Sequence, residues 1–182
     1  MYSDTQGAFA DPEKISSHLH LCEGDTVIDL GAGSGNYMEP LSKAVGKSGR
    51  VYLGDVQKTL VDTLDNRAQE LHLSNIRPLW CDIETVGGIK LKDESLDAAL
   101  LSNTLFQIEN KDNAATEIYR VLHKGGKLFV VDWTESFGGL GPHKDHVITQ
   151  EVAKALFEKN GFSYEGDFPA GDHHYGIALR KV

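Results

Sequence analysis

Three glycines at alternate positions, Gly31, Gly33 and Gly35, follow the apolar run Val27-Ile28-Asp29-Leu30 and lead into a helix-like segment. Glycine at every second position lets the backbone turn sharply and lets a ligand approach with no Cβ in the way. The first N–H groups of the following helix have no partner within it and face that turn, ready for polar ligand atoms. A second apolar run, Val51-Tyr52-Leu53-Gly54, ends on Asp55, 24 positions after Gly31. That is close to the ~20 at which a nucleotide-binding βαβ unit places its ribose-binding carboxylate. Such a carboxylate can accept hydrogen bonds from both ribose hydroxyls. The competing reading is that Asp55 caps a helix beginning near Gln57.

The dinucleotide fingerprint is G-x-G-x-x-G. Here the third glycine comes one residue early and Asn36 stands where the fingerprint needs glycine, which disfavours a pyrophosphate ligand. A tight structural turn would give the same letters. With Asp29 two residues before the first glycine, the stretch closely resembles motif I of the class I S-adenosylmethionine (SAM)-dependent methyltransferases, most of all their UbiE-like small-molecule branch. The resemblance covers about residues 9–182, although an inserted substrate-cap domain typical of that branch is missing. It implies a sulfonium cofactor, with S-adenosylhomocysteine (SAH) as its product. It places Asp29, Gly31, Ala32 and Gly33 at motif I and Asp55 and Val56 at motif II. Asp82 would accept from the adenine amino group, Ile83 would lie against the ring, and the strand-end carbonyl of Ser102 would help hold the cofactor's amino group. Arg120-Val121-Leu122 with Gly125-Gly126 resembles the family's post-motif segment.

Methyl transfer from a sulfonium is an in-line displacement, and the protein's largest contribution is holding donor and acceptor at a near-attack distance. No acid or base is obligatory, and no catalytic residue is assigned. A base would help a hydroxyl or amine acceptor, and His143 and His146 are candidates because histidine titrates near neutrality; the alternative is two solvated loop histidines. Candidate acceptor contacts are Phe9, Asn103, Phe106, Trp133 and His143. His173-His174 is ambiguous in the same way as His143 and His146, with a polar turn as the favoured reading. Two rival functions stay open: an NAD(P)-dependent Rossmann oxidoreductase, for which no Tyr-Lys catalytic pair is found, and a non-catalytic SAM-binding protein.

These residues need a sheet to hold them. Asp11, Pro12 and Glu13 open a helix expected to run to about Leu21. Strands are expected at 27–30, 51–56, 76–80, 96–103 and 127–133, with helices at 37–45, 58–73, 111–122 and 150–159 between or after them. Pro78 argues that the third strand lies at the sheet's edge. His123-Lys124-Gly125-Gly126 reads as a turn, and 162–168 with 175–181 as a closing antiparallel pair. Alternating strands and helices mean a doubly wound, Rossmann-like α/β sheet, mostly parallel, with helices on both faces. The resemblance adds seven strands with the last antiparallel.

Residues 134–148 form the one long connection without periodic apolar residues, and long loops in compact domains are often lids. With an N-terminal lid and helix over residues 1–22, it is the expected cover of the site. A chain of 182 residues fits a single domain, 1–182. Its net charge of −9 repels phosphate backbones, so nucleic acid is excluded as a partner and a small-molecule acceptor is expected. No apolar run approaches the ~20 residues of a membrane span, and the first residues do not read as a secretory leader. Cys22 and Cys81 lie far apart without ligand spacing, which fits reduced thiols in a cytoplasmic protein with no metal. Monomer and homodimer both stay open.

Overall fold

The computed structural model describes residues 10–137, 139 and 141–182. In chain order it comprises α1 (Pro12–His18), β1 (Thr26–Leu30), α2 (Met38–Val45), β2 (Arg50–Asp55), α3 (Lys58–Glu70), β3 (Ile76–Trp80) and β4 (Leu96–Ser102). There follow α4 (Lys111–Val121), β5 (Leu122–Trp133), α5 (Gln150–Lys159), β6 (Phe162–Pro169) and β7 (His174–Lys181). The strands form one sheet in the order β3-β2-β1-β4-β5-β7-β6. β1 to β5 run parallel, and β7 runs antiparallel to both its neighbours.

The expected doubly wound sheet is therefore present, with Pro78 on the edge strand. A strand covered on both faces needs apolar residues in both phases of the pleat, and in β1 every residue from Val27 to Leu30 is buried. Alternation divides the core in two. Val27, Leu53, Leu100, Phe129 and Val131 pack against α1, α2 and α3, whereas Ile28, Leu30, Leu101, Val130 and Ile177 pack against α4 and α5. Side chains acting as caps fix several helix starts: Asp11 Oδ1 accepts from Glu13 N at 3.0 Å, and Thr149 Oγ1 from Val152 N at 3.4 Å.

Five expectations change. α3 stops at Glu70, short of residue 73, where His72 takes a left-handed φ of 55°. Residues 81–95, between β3 and β4, form a second long connection beside 134–148. α1 stops at His18, short of Leu21, because Leu19 N turns back to Ser16 O and His20 takes a left-handed φ of 48°. The stretch 123–126 is a bulge inside β5, whose register with β4 jumps from Leu122–Leu96 to Lys127–Ala98. His174 opens β7 instead of lying in a turn, so one of the two histidines is a buried sheet residue.

Candidate functional site

The glycine loop is built from β1's end outward. The N–H groups of Gly31 and Ala32 both donate to Gly54 O, at 2.8 and 3.0 Å, tying the loop to β2. Gly33 N donates to Asp55 Oδ2 at 3.0 Å, and Asp55 Oδ1 accepts from Gln57 N at 2.9 Å. Asp55 thus closes the glycine loop and braces the turn before α3, whose own N-cap residue, Gln57, makes no side-chain cap bond. Arg67 on α3 braces the loop from outside, donating to Ser34 O at 2.9 Å. Gly31 and Gly33 have φ of 75° and 54°, in the left-handed region that favours glycine. A side chain at Gly31 would strike Thr104, but one at Gly33 would meet nothing closer than Gly31 O at 3.9 Å. Gly33 therefore presents an open side with room for a ligand.

Gly31, Gly33, Asp55, Val56, Asp82 and Ile83 line one cleft of about 330 Å³, within the range of small-molecule sites. Val56 is 58% exposed at its rim, an apolar surface kept in solvent, and Ile83 is half-buried. Burial pushes the Cys81 thiol up to about 12, so it faces the cleft uncharged. Asp82 shapes its own loop: Oδ1 accepts from Glu84 N at 3.0 Å and Oδ2 from Thr85 Oγ1 at 2.8 Å. Each carboxylate oxygen keeps a second lone pair for a ligand. The next turn is held from α4 by buried Glu117, which accepts from Gly87 N at 3.0 Å and Ile89 N at 2.9 Å and pairs with Arg120.

Beside this cleft, and under the loop, Asp29 is 2% exposed and its Oδ2 has no hydrogen-bond partner. Burial, and then the Asp55 charge, push its carboxyl up to about 7. Tyr37 Oη accepts from Ser102 Oγ at 3.1 Å, and burial pushes the phenol up to about 12. The carbonyls of Ser102 and Leu30 both accept from Thr104 Oγ1, at 3.0 and 3.3 Å.

A methyltransferase-domain family model matches residues 21–170. The chain belongs to that family. Among similar methyltransferases, the ubiquinone/menaquinone biosynthesis C-methyltransferase UbiE of Xanthomonas oryzae pv. oryzae is 34% identical over 143 residues, 76% of this chain and 49% of its own length. The same enzyme of Hydrogenovibrio crunogenus is 34% identical over 113 residues, 62% of this chain and 43% of that one. The chain thus spans about half the length of these relatives, or less. A SAM-dependent methyltransferase from Aquifex aeolicus superposes with a TM-score of 0.87 at 28% identity, covering 96% of this chain and 91% of that one. A geranyl diphosphate C-methyltransferase from Streptomyces coelicolor, solved with SAH, shares the fold at a TM-score of 0.76 and 15% identity, covering 94% of this chain and 79% of that one. These findings favour the methyltransferase reading over the nicotinamide one.

The residues present fit SAM. The partnerless Asp29 oxygen suits an ammonium group, Asp55 a ribose, and Val56 with Ile83 an apolar ring. Of the sequence-derived cofactor residues, Gly31, Gly33, Asp55, Val56, Asp82 and Ile83 share the cleft, whereas Asp29 and Ala32 are buried beside it and Ser102 is turned to Tyr37. Of the acceptor candidates, Trp133 is buried at the end of β5, and Phe106 is half-buried with its N–H on Asp132 Oδ2 at 3.3 Å. Asn103 has a left-handed φ of 54° and a buried, partnerless Oδ1. His143 is exposed, paired with Asp145 at 3.1 Å and accepting from its N–H. Phe9 lies outside the described residues. Sequence reasoning missed Tyr37, Glu117 and His174. For Tyr37 the signal was its place directly after the glycine loop; the others are visible only once strands and helices are paired.

Proposed function

We propose that this chain transfers the methyl group of SAM to a small organic acceptor seated over the carboxyl ends of β4 and β5. The observation that carries it is the continuity of one glycine-loop cleft with Asp55 on one side and the orphaned carboxylate of Asp29 beside it. SAM when bound supplies an electrophilic methyl group, displaced in line from its sulfur. The chain's work is then placement. Asp29 holds the ammonium end, Asp55 the ribose, and Asp82 with Val56 and Ile83 the base, which fixes where the methyl points. Desolvation at the buried strand ends keeps water from competing for it. The curated relatives are named C-methyltransferases, which favours carbon as the receiving atom; carbon acceptors need their nucleophilicity from their own ring or carbonyl chemistry, consistent with the lack of an assigned base.

Calorimetry with SAM, SAH and NAD tests the first half: the two sulfur ligands should bind and NAD should not. Incubation with methyl-labelled SAM and a metabolite extract tests the second, with label expected in small products. Binding of SAM without any transfer would favour the non-catalytic reading.

A further inference from the structure

The carboxyl edge of the sheet does not end at the cofactor cleft. Asp29 pairs with Leu100 across β1 and β4, Ser102 with Val131 across β4 and β5, and Trp133 with His174 across β5 and β7. Counting by twos along each strand puts Asp29, Ser102, Trp133 and His174 on the same face, the one covered by α1 and α2. Because β7 runs antiparallel, its first residue lies at the same edge as the last residue of β5. Strands are about 4.8 Å apart, so His174 sits roughly 10 Å beyond Ser102 along the row that Asp29 begins.

His174 is 6% exposed, and neither of its ring nitrogens has a hydrogen-bond partner. Its ring lies 4.3 Å from that of Trp133. Burial, and then the neighbouring His173, push its pKa down to about 4, so at neutral pH it carries one N–H donor and one lone pair. Buried polar groups are nearly always paired, and an orphan demands an explanation. Asn103 adds a second one, its Oδ1, at the end of β4 on the same edge. Both orphans lie further along the carboxyl edge than Asp29, away from the glycine-loop cleft.

The charge of the row decides what kind of acceptor. Its acid is Asp29; Asp132, next to Trp133 in β5, lies on the opposite face of the sheet. The arginines are engaged elsewhere: Arg67 on Ser34 and Glu39, Arg120 on Glu117 and Asp93, Arg180 on Glu165 and Gly125, Arg77 on the carbonyls of Ser74 and Ile76, and Arg50 beside Tyr52. Phosphate and carboxylate recognition depends on arginine forks or lysine, and the row presents neither.

We propose that His174, against Trp133 and together with Asn103, forms the acceptor subsite, its imidazole hydrogen-bonding a hydroxyl of an uncharged acceptor and discriminating against phosphorylated or carboxylated ones. The proposal rests on the methyl-transfer reading. A hydroxyl matches a neutral imidazole at either nitrogen, and Asn103 Oδ1 accepts a second hydroxyl proton. Placing the hydroxyl fixes the rest of the acceptor relative to the methyl group.

The test uses the wild-type protein saturated with SAH and labelled with 15N in its histidines, titrated with catechol and, separately, with phenyl phosphate. Catechol should move the His174 ring-nitrogen resonances and phenyl phosphate should not; unmoved resonances with catechol, or equal response to both, would overturn the assignment. In the second arm, methyl-labelled SAM and a metabolite extract are given to wild type, His174→Gln and His174→Phe. Label should collect in products that pass an anion exchanger, fall by about tenfold or more in His174→Phe, as expected for a lost hydrogen bond, and recover in large part in His174→Gln. SAM affinity should be the same in all three. Label retained in full by His174→Phe, or found in anionic products, would overturn the subsite. Wild type that transfers no label to any fraction would instead count against methyl transfer itself.

Discussion

Asp55 accepts a hydrogen bond from the N–H of Gly33 at 3.0 Å, so the carboxylate at the end of β2 also holds the glycine loop in place. Its other oxygen accepts from Gln57 N in the turn before α3, where Gln57 itself is the N-cap residue. The helix-cap reading of this residue therefore fails, because no side chain caps α3 and the bonds of Asp55 go to the glycine loop and the turn before the helix. Asp55→Ala is expected to weaken SAM binding by ten- to a hundredfold, from ~1.5–3 kcal/mol for hydrogen bonds to a charged group. Loss of these two backbone hydrogen bonds should also lower the thermal midpoint, by about 1 kcal/mol in stability. Calorimetry and a melting curve separate the two. An unchanged SAM affinity with a lowered midpoint would leave Asp55 a structural role only.

The two glycines that open the loop should fail in different ways. At Gly33 the space on the Cβ side is empty, so Gly33→Ala adds only the left-handed strain of ~1–2 kcal/mol and puts its methyl where the ligand would be. Gly31→Ala drives a methyl into Thr104 and should cost more stability. The expected pattern is a folded Gly33→Ala with poor SAM affinity beside a Gly31→Ala whose main defect is its melting temperature. If Gly33→Ala binds SAM like wild type, the open side is not the ligand's.

Asp29 sets a pH dependence. Its folded pKa of about 7 lies above its unfolded value of 3.8, so the native state binds the extra proton between them. The free protein therefore loses stability as pH rises from about 4 to about 7, because ionising the buried carboxyl is unfavourable. SAM binding has the opposite sign, since the cofactor's ammonium needs the ionised form. The apparent dissociation constant should be about tenfold weaker at pH 6 than at pH 8, the penalty for removing a proton one unit below its pKa. Asp29→Asn should melt higher than wild type at pH 8, bind SAM more weakly, and lose this pH dependence. A pH-independent affinity in wild type would remove Asp29 from the ammonium site.

Much of this arrangement was legible because it is local. The strand–glycine–helix run, the cap at Asp11, the acid at the end of β2 and the edge position of Pro78 all follow from neighbouring residues. What was not legible depends on pairing between distant strands. Nothing near His174 in the chain tells that β7 inserts between β5 and β6 and brings this histidine against Trp133, so two adjacent histidines after Gly171-Asp172 read as a turn. Glu117 carries no local signal, because its partners, Gly87 and Ile89, lie 28 to 30 positions away. The end of α1 was misjudged for a smaller reason: the left-handed His20 leaves no mark in the apolar periodicity.

The connection between β5 and α5 is pinned to the head of β7, where the acceptor subsite lies. Thr134 N donates to His173 O at 2.9 Å, Glu135 Oε1 lies 2.9 Å from His173 Nδ1, and the Phe137 ring stacks on His173 at 3.8 Å. Further on, Gly141 rests on the indole of Trp133 so closely that a Cβ would come within 2.6 to 2.8 Å of it. An acceptor can reach Trp133 and His174 only if this cover lifts, and lids of this kind open at their glycine and loop-terminal positions. Gly141→Ala should hold the cover off the indole, since both the collision and a φ of 73° oppose the closed form. The expected result is a red-shifted tryptophan emission, unchanged SAM affinity and a raised acceptor KM. In wild type, hydrogen exchange over 134–148 should be fast in the free protein and slow once SAH and acceptor are both bound. Strong protection already present without ligand, together with a Gly141→Ala variant of normal KM, would make the segment a fixed wall of the site and not its door.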